Sequence, residues 1–242
     1  MTEPVADQDL FGQALEDRYR GRRHKLSMER DDGYLDEQNM DFYFKEYDKF
    51  PESEKKALRY AQGKVLDIGV GAGRTALYLQ EKGHEVLGID ISDGALDVCR
   101  SRGVRWLENM NACDLRLKKD SFDTAIAFFN NFGLCGNMES VGRMLEKLHR
   151  IVKDDGLFLA ESLDPTDTTK KHHLKYHQRN RDRGRPPGQV TLRIHYRGKV
   201  GGWWDLLLVT PAEMKQLCDE TGWRIARKCT GGFMIVYVLK KA

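Results

Sequence analysis

Between positions 65 and 73 the chain reads Val65-Leu66-Asp67-Ile68-Gly69-Val70-Gly71-Ala72-Gly73, and another apolar run ends at Asp90. A short apolar run of the Val65 to Ile68 kind is what a buried parallel strand needs, and glycines at every second position let the backbone turn tightly beneath a ligand. A helix starting near Arg74 follows. A strand-to-helix turn of this kind presents amide N–H groups, and an acidic side chain roughly 20 residues on can accept hydrogen bonds from ribose hydroxyls. Both parts are present in that order.

The spacing separates two nucleotide readings. A dinucleotide fingerprint, G-x-G-x-x-G, requires glycine where this chain has Arg74. The pattern is instead D-x-G-x-G-x-G. A carboxylate at Asp67 would repel a pyrophosphate but attract an ammonium or sulfonium ion. In these residues the chain resembles the class I S-adenosylmethionine-dependent methyltransferases, whose first motif has this form, with Val70 where cysteine or a small residue is usual. The resemblance implies S-adenosyl-L-methionine as cofactor, S-adenosyl-L-homocysteine as its product, and an α/β fold. That fold is doubly wound, with a mostly parallel seven-stranded sheet closed by a C-terminal antiparallel hairpin.

Along the chain, strands are expected at 65–68, 85–89, 104–107, 122–128 and 157–162. Helices are expected at 52–60, from Arg74 to Glu81, after Ser92 or Asp93 up to Gly103, and at 138–152, where Val141, Met144, Leu145, Leu148 and Val152 recur at helical spacing. Alternating elements imply parallel strands with right-handed crossovers. Downstream, Gln189 to Arg197 alternates as a half-buried antiparallel strand and Trp203 to Val209 returns beside it. Thr210, Pro211 and Glu213 announce a helix ending at Gly222, and Trp223 to Lys228 with Phe233 to Leu239 form the closing hairpin. Three parts follow: 1–50, an N-terminal arm and lid helix; 51–164 with 210–242, the cofactor-binding core; and 165–209, an inserted basic helix and antiparallel hairpin over the acceptor. The arm's run Arg18 to Lys25 reads as a solvated charge run on a mobile segment.

Lys+Arg 40 against Asp+Glu 37 leaves a net charge of +3, which demands neither nucleic acid nor an acidic membrane. Met1 to Leu10 is acidic and polar where a signal peptide is basic and then apolar, so a cytoplasmic protein is expected. Cys99, Cys113, Cys135, Cys218 and Cys229 lack C-x-x-C spacing, which fits free thiols without a zinc site or a disulfide framework. A reactive thiol at Cys135 is the alternative.

By resemblance, Gly69, Gly71 and Gly73 floor the methionine part of the cofactor, with Asp67 nearby, and Asp90, followed by Ile91, takes the ribose hydroxyls. Asn111 stands where an acidic residue usually meets the adenine amino group, Ala112 offers its backbone, and Asp114 is the competing candidate. Phe128 and Asn130 end the fourth core strand, facing cofactor and acceptor. The Pro-Pro that follows Asp or Asn in methyltransferases acting on exocyclic base amines is missing here, which favours a small-molecule pocket.

Methyl transfer from a sulfonium needs in-line approach and desolvation, and a general base only if the acceptor is protonated. Candidates are Asn130, Glu161, His173, Tyr176 and His177, with Asp164 and His172 nearby. His173 and His177 sit at i, i+4, yet no H-E-x-x-H pattern accompanies them and no metal is expected. Lys170, Lys171, Lys175, Arg179, Arg181, Arg183 and Arg185 form a basic block, with Arg193 and Arg197 on a later strand; guanidinium groups suit carboxylate or phosphate. The expected activity is methyl transfer to an O, N or carboxylate of a small anionic molecule, by a monomer or homodimer. The alternatives are an RNA methyltransferase resting on the basic segments, or a non-catalytic cofactor-binding partner subunit.

Overall fold

Strand β3 (Lys64–Ile68) lies inside a seven-stranded sheet of order β11-β12-β7-β6-β3-β4-β5, in a computed structural model that describes residues 9–242. The expectation drawn from Met1 to Leu10 therefore falls mostly outside the described residues. β3 runs parallel to β4 (Glu85–Asp90) and to β6 (Phe122–Ala127); β5 (Trp106–Asn109) is parallel to β4, and β7 (Val152–Leu163) to β6. The hairpin of β11 (Trp223–Thr230) and β12 (Met234–Lys241) joins antiparallel to β7. This is the mostly parallel seven-stranded sheet with a closing antiparallel hairpin that the resemblance implied.

Period-two alternation distributes the core over both faces of the sheet. Leu66 and Ile68 pack with Val141, Met144 and Leu148 of α5 (Met138–Ile151), whereas Val65 packs with Ala57 of α2 (Glu52–Leu58) and Leu79 of α3 (Arg74–Glu81). Asp67, which shares Val65's face, is therefore carried into the interior at the carboxyl end of β3. Chain order reverses here, β4 lying on one side and β6 on the other, and doubly wound sheets bind ligands at such a point.

Two expected strands shift. The third begins at Trp106 rather than Val104, because the Val104 amide bonds back to Cys99 O (3.0 Å) at the end of α4 (Asp93–Arg102). The fifth begins at Val152 rather than Leu157, so Asp154, Asp155 and Gly156 lie within β7.

From Asp9 onward the arm is ordered, contrary to the mobile charge run expected at Arg18 to Lys25. It forms α1 (Leu10–Tyr19), β1 (Leu26–Arg30) and β2 (Leu35–Gln38). β1 pairs antiparallel with β8 (Gln189–Tyr196), whose other edge pairs with β10 (Trp204–Leu207) and whose end meets β9 (Lys199–Val200). The expected hairpin thus becomes a five-stranded second sheet. A two-stranded ribbon is marginal alone, and β1 satisfies the open edge of β8. Tyr196 Oη donates to Asp17 Oδ2 of α1 (2.8 Å), anchoring arm to insertion.

The cysteine expectation also needs correction: Cys113 and Cys135 form a disulfide, with Cα atoms 5.5 Å apart and a sequence separation of 22, while Cys99, Cys218 and Cys229 are buried thiols. The two halves come from loops after β5 and β6, which adjoin only in the folded sheet. Among the described residues, no helix is long and apolar enough to cross a membrane.

Candidate functional site

The glycine turn uses its three glycines differently. Gly69 and Val70 amides both bond to Ile89 O, at 2.9 and 3.0 Å, continuing the parallel ladder, and Gly71 N donates to Asp90 Oδ2 at 3.0 Å. A Cβ on Gly69 would lie 2.3 Å from Asn131 Nδ2, and one on Gly71 3.4 Å from the Tyr43 ring. On Gly73 it would meet Val104 at 2.7 Å and Cys99 at 3.0 Å, so close packing against these two residues also requires glycine there. All three have left-handed φ, of 70°, 55° and 79°, where an L side chain is strained.

Acidic groups converge beneath this turn. Asp67 is buried and its Oδ2 has no partner; burial, aided by Asp90 and Glu54 and opposed by Arg74, pushes its carboxyl up to about 7. Burial also raises Asp90, against hydrogen bonds from the Ser92 and Gly71 amides. Glu161, on β7, is fully buried with Oε1 unpartnered, and burial together with Glu54 pushes it up to about 8. The Phe129 amide, which donates to its Oε2, and Arg74 pull the other way. Arg74 holds Glu54 through two contacts of 2.6 Å. Three carboxyl groups, those of Glu54, Asp67 and Glu161, thus share one guanidinium. An unpartnered buried carboxylate in an acidic surplus fits a ligand bearing ammonium and sulfonium charge and would repel a pyrophosphate, so these residues fit the cofactor expected.

Aromatic side chains from the arm cover the turn. Asn39 caps the single 3-10 turn Met40–Phe44, which brings Tyr43 against Gly71 and Phe42 onto Phe129, ring centroids 4.5 Å apart. The Arg74 guanidinium lies over Phe42 (4.6 Å) and Phe50 (4.5 Å). Burial raises the Tyr43 hydroxyl above its ordinary range, so it remains protonated as a donor.

After β6, Phe129 (φ 57°) and Asn130 (φ 64°) are consecutive left-handed residues without being glycine. Asn130 Oδ1 accepts from Leu163 N (2.9 Å), and Asn131 Nδ2 donates to Ile68 O (3.0 Å) and Gly69 O (2.8 Å). Asn130, expected to face substrate, spends its carbonyl on β7 instead. Phe128, expected at the cofactor, is 4% exposed and packs in the core.

Ile91 projects to solvent beside Asp90, as an apolar ligand contact would. Asn111 Oδ1 accepts from Cys113 N (2.8 Å) and caps the turn Ala112–Asp114; Asp114 is tied to Arg116 and Lys147, so Asn111 and Ala112 stay nearer to the expected role.

The candidates on α6 (Lys171–Asp182) face residues of the second sheet. His173 Nδ1 faces Arg30 Nη1 at 3.0 Å, and burial with neighbouring cations lowers it to about 4, so it is neutral at pH 7. Tyr176 Oη accepts from Thr191 N (3.2 Å) while its ring lies under Arg30 (4.0 Å). His177 is buried, held down by burial, with Nδ1 unpartnered. The contacts of His173 and Tyr176 run between α6 and strands β1 and β8. The basic block is partly neutralised: Arg179 pairs with Asp31 (3.0 Å), Arg193 with Glu29 (2.7 Å) and Arg197 with Asp17 (3.1 Å). Among the described residues, no three His, Cys, Asp or Glu side chains converge as metal ligands.

Glu54, Arg74, Tyr43, Asn131 and Arg30 were not singled out from sequence. Arg74 was visible only as the residue that broke a dinucleotide pattern; the others lie far along the chain from the groups they touch.

Comparison with known proteins gives a consistent picture. Residues 65–156 match a family model described as a methyltransferase domain. A crystal structure of an S-adenosylmethionine-dependent methyltransferase from Bacteroides fragilis, in complex with S-adenosyl-L-homocysteine, superposes with TM-score 0.83 at 26% identity, covering 100% of this chain and 98% of that one. An uncharacterized protein of Methanocaldococcus jannaschii is 34% identical over 95 residues, 39% of this chain and 35% of that protein. A putative methyltransferase of a Geobacillus strain is 25% identical over 128 residues, 50% of this chain and 51% of that protein. The chain therefore spans about a third to a half of the curated relatives it matches.

Proposed function

We propose that this chain, whose core is a class I S-adenosylmethionine-dependent methyltransferase domain, transfers a methyl group to an O, N or carboxylate of a small molecule held between the strand ends and the second sheet. The observation that carries the reading is the acidic surplus beneath the glycine turn, with Asp67 Oδ2 unpartnered. Bound S-adenosylmethionine supplies an electrophilic methyl group on a sulfonium. In this reading Asp67, Gly69 and Gly71 receive its methionine end, Asp90 and Ile91 its ribose, and Asn111 and Ala112 its adenine. Residues 51–164 and 210–242 are the cofactor-binding core; the arm and 165–209 form the acceptor lid. The aromatic cover of Phe42, Tyr43 and Phe129 excludes water, which strengthens the field of the carboxylates.

An anionic acceptor is supported by the cations left over after internal pairing. Lys170, Lys171, Lys175, Arg181, Arg183 and Arg185 are exposed along α6 and the turn after it. The test is calorimetric titration with S-adenosyl-L-homocysteine, then transfer of labelled methyl from S-adenosylmethionine to a metabolite extract. Micromolar binding abolished by Asp90→Ala, with label in an anionic product, is expected. Unchanged binding in Asp90→Ala overturns the site. Label in a cationic or neutral product overturns only the anionic acceptor, and methylated RNA with steep salt dependence favours the nucleic-acid alternative.

A further inference from the structure

Two consecutive non-glycine residues in the left-handed region need an external reason to stay there. Phe129 is bulky and has no local side-chain bond to support such a backbone, unlike Asn130. The reason comes from β7, one strand over. Glu161 Oε2 accepts the Phe129 amide, and two residues on, the Leu163 amide is taken by Asn130 Oδ1. The Phe129 ring is thereby aimed back over the turn, stacked on Phe42 and edge-on to Tyr43 at 5.4 Å, and Tyr43 lies against Gly71 beside Asp90. One buried carboxylate therefore sets the direction of the aromatic cover.

We infer that Glu161 is a positioning residue: by holding the Phe129 amide it fixes the Phe129–Asn130 pair and, through the Phe129 ring, the cover over the cofactor turn. This rests on the methyltransferase reading. Glu161 is fully buried behind Phe129, so it acts through that residue.

Glu161 keeps its other oxygen unpartnered and has Glu54 of α2 and Arg74 of α3 as charged neighbours, Arg74 also being a neighbour of Asp67. At pH 7 Glu161, pushed up to about 8 by burial and by the neighbouring Glu54 side chain, keeps its proton. Losing it sets a second buried negative charge against Glu54 about a single guanidinium, and that repulsion loosens the anchor.

The experiment measures S-adenosyl-L-homocysteine affinity of the full chain from pH 6 to pH 9. In the wild type, affinity is expected to fall about tenfold as pH rises through about 8. Glu161→Gln, whose amide oxygen accepts the same bond without titrating, should bind within about threefold of the wild type at pH 7 and show no pH step there. Glu161→Ala should bind at least about tenfold more weakly at every pH. Phe129→Gly adopts the left-handed backbone unaided, so adding Glu161→Ala to it should change affinity less than about twofold. A wild type that does not bind S-adenosyl-L-homocysteine overturns the methyltransferase reading itself. A wild type that binds, with Glu161→Gln as weak as Glu161→Ala or with additive effects in the cycle, overturns the positioning role alone. Should Glu161→Ala not fold, the pH step and its absence in Glu161→Gln still decide.

Discussion

Arg74 and Glu54 form a bidentate ion pair at 7% and 1% side-chain exposure, and Arg74 is the cation that opposes the upward shift of both Asp67 and Glu161. The guanidinium at the start of α3 is thus the counter-charge for a buried acidic cluster, and also the platform on which Phe42 and Phe50 rest.

Arg74→Met should therefore destabilise strongly, by about 3 to 5 kcal/mol, because it strands buried carboxylates rather than merely removing a bond. Glu54→Gln should cost less, since the surplus shrinks as the pair breaks. Urea midpoints at pH 7 measure both, and a loss below about 1 kcal/mol for Arg74→Met would contradict the geometry.

The raised carboxyls set a pH dependence of defined sign. Asp67 moves from 3.8 to about 7 and Glu161 from 4.5 to about 8, so across this window the folded state holds protons that the unfolded chain has released. Stability of the ligand-free protein should then fall as pH rises from about 4.5 to about 8, by at most about 1.4 kcal/mol per unit per group. The lowered carboxyls, such as Asp17 and Asp123, lose their contribution only below that window. Thermal melts of wild type and Glu161→Gln with Asp67→Asn should show the slope in the first and its loss in the second.

The glycines should separate by effect. Gly73→Ala places a Cβ against Val104 and Cys99 in a left-handed backbone and should cost stability, about 2 kcal/mol or more. Gly71→Ala, with only the Tyr43 ring nearby, should cost about 1 kcal/mol and chiefly weaken S-adenosyl-L-homocysteine binding. Melting temperature against titration distinguishes the two.

The Cys113–Cys135 disulfide closes a loop of sequence separation 22, for which unfolded-state entropy gives about 3 kcal/mol. Dithiothreitol should lower the melting temperature of the wild type and leave Cys113→Ser unchanged. Equal melting with and without reductant would show the thiols unpaired in solution.

Most of the core was legible from local signals. The Val65 to Ile68 run, the glycine spacing, the helical recurrence from Val141 to Leu148 and the capping box at Thr210 are near-neighbour patterns, and each lies within a residue or two of its expected place. Contacts between distant segments were not legible: β1 on β8 joins residues more than 160 positions apart, and the cysteine pair joins two separate loops. Nor could local pattern tell that Arg193 and Arg197, which looked free for an anion, already hold Glu29 and Asp17.

By itself the sequence determined a parallel α/β sheet with a glycine turn and an acid ending the next strand, and so the S-adenosylmethionine-type cofactor, because strand period, backbone freedom at glycine and charge sign are properties of adjacent residues. Only the tertiary structure decided how that turn is used: that Gly73 packs against Val104 and Cys99, that Arg74 balances three carboxyls, and that Tyr43 from the arm covers Gly71. Burial, pairing and closure are properties of groups brought together from remote positions, and folding alone sets which groups meet.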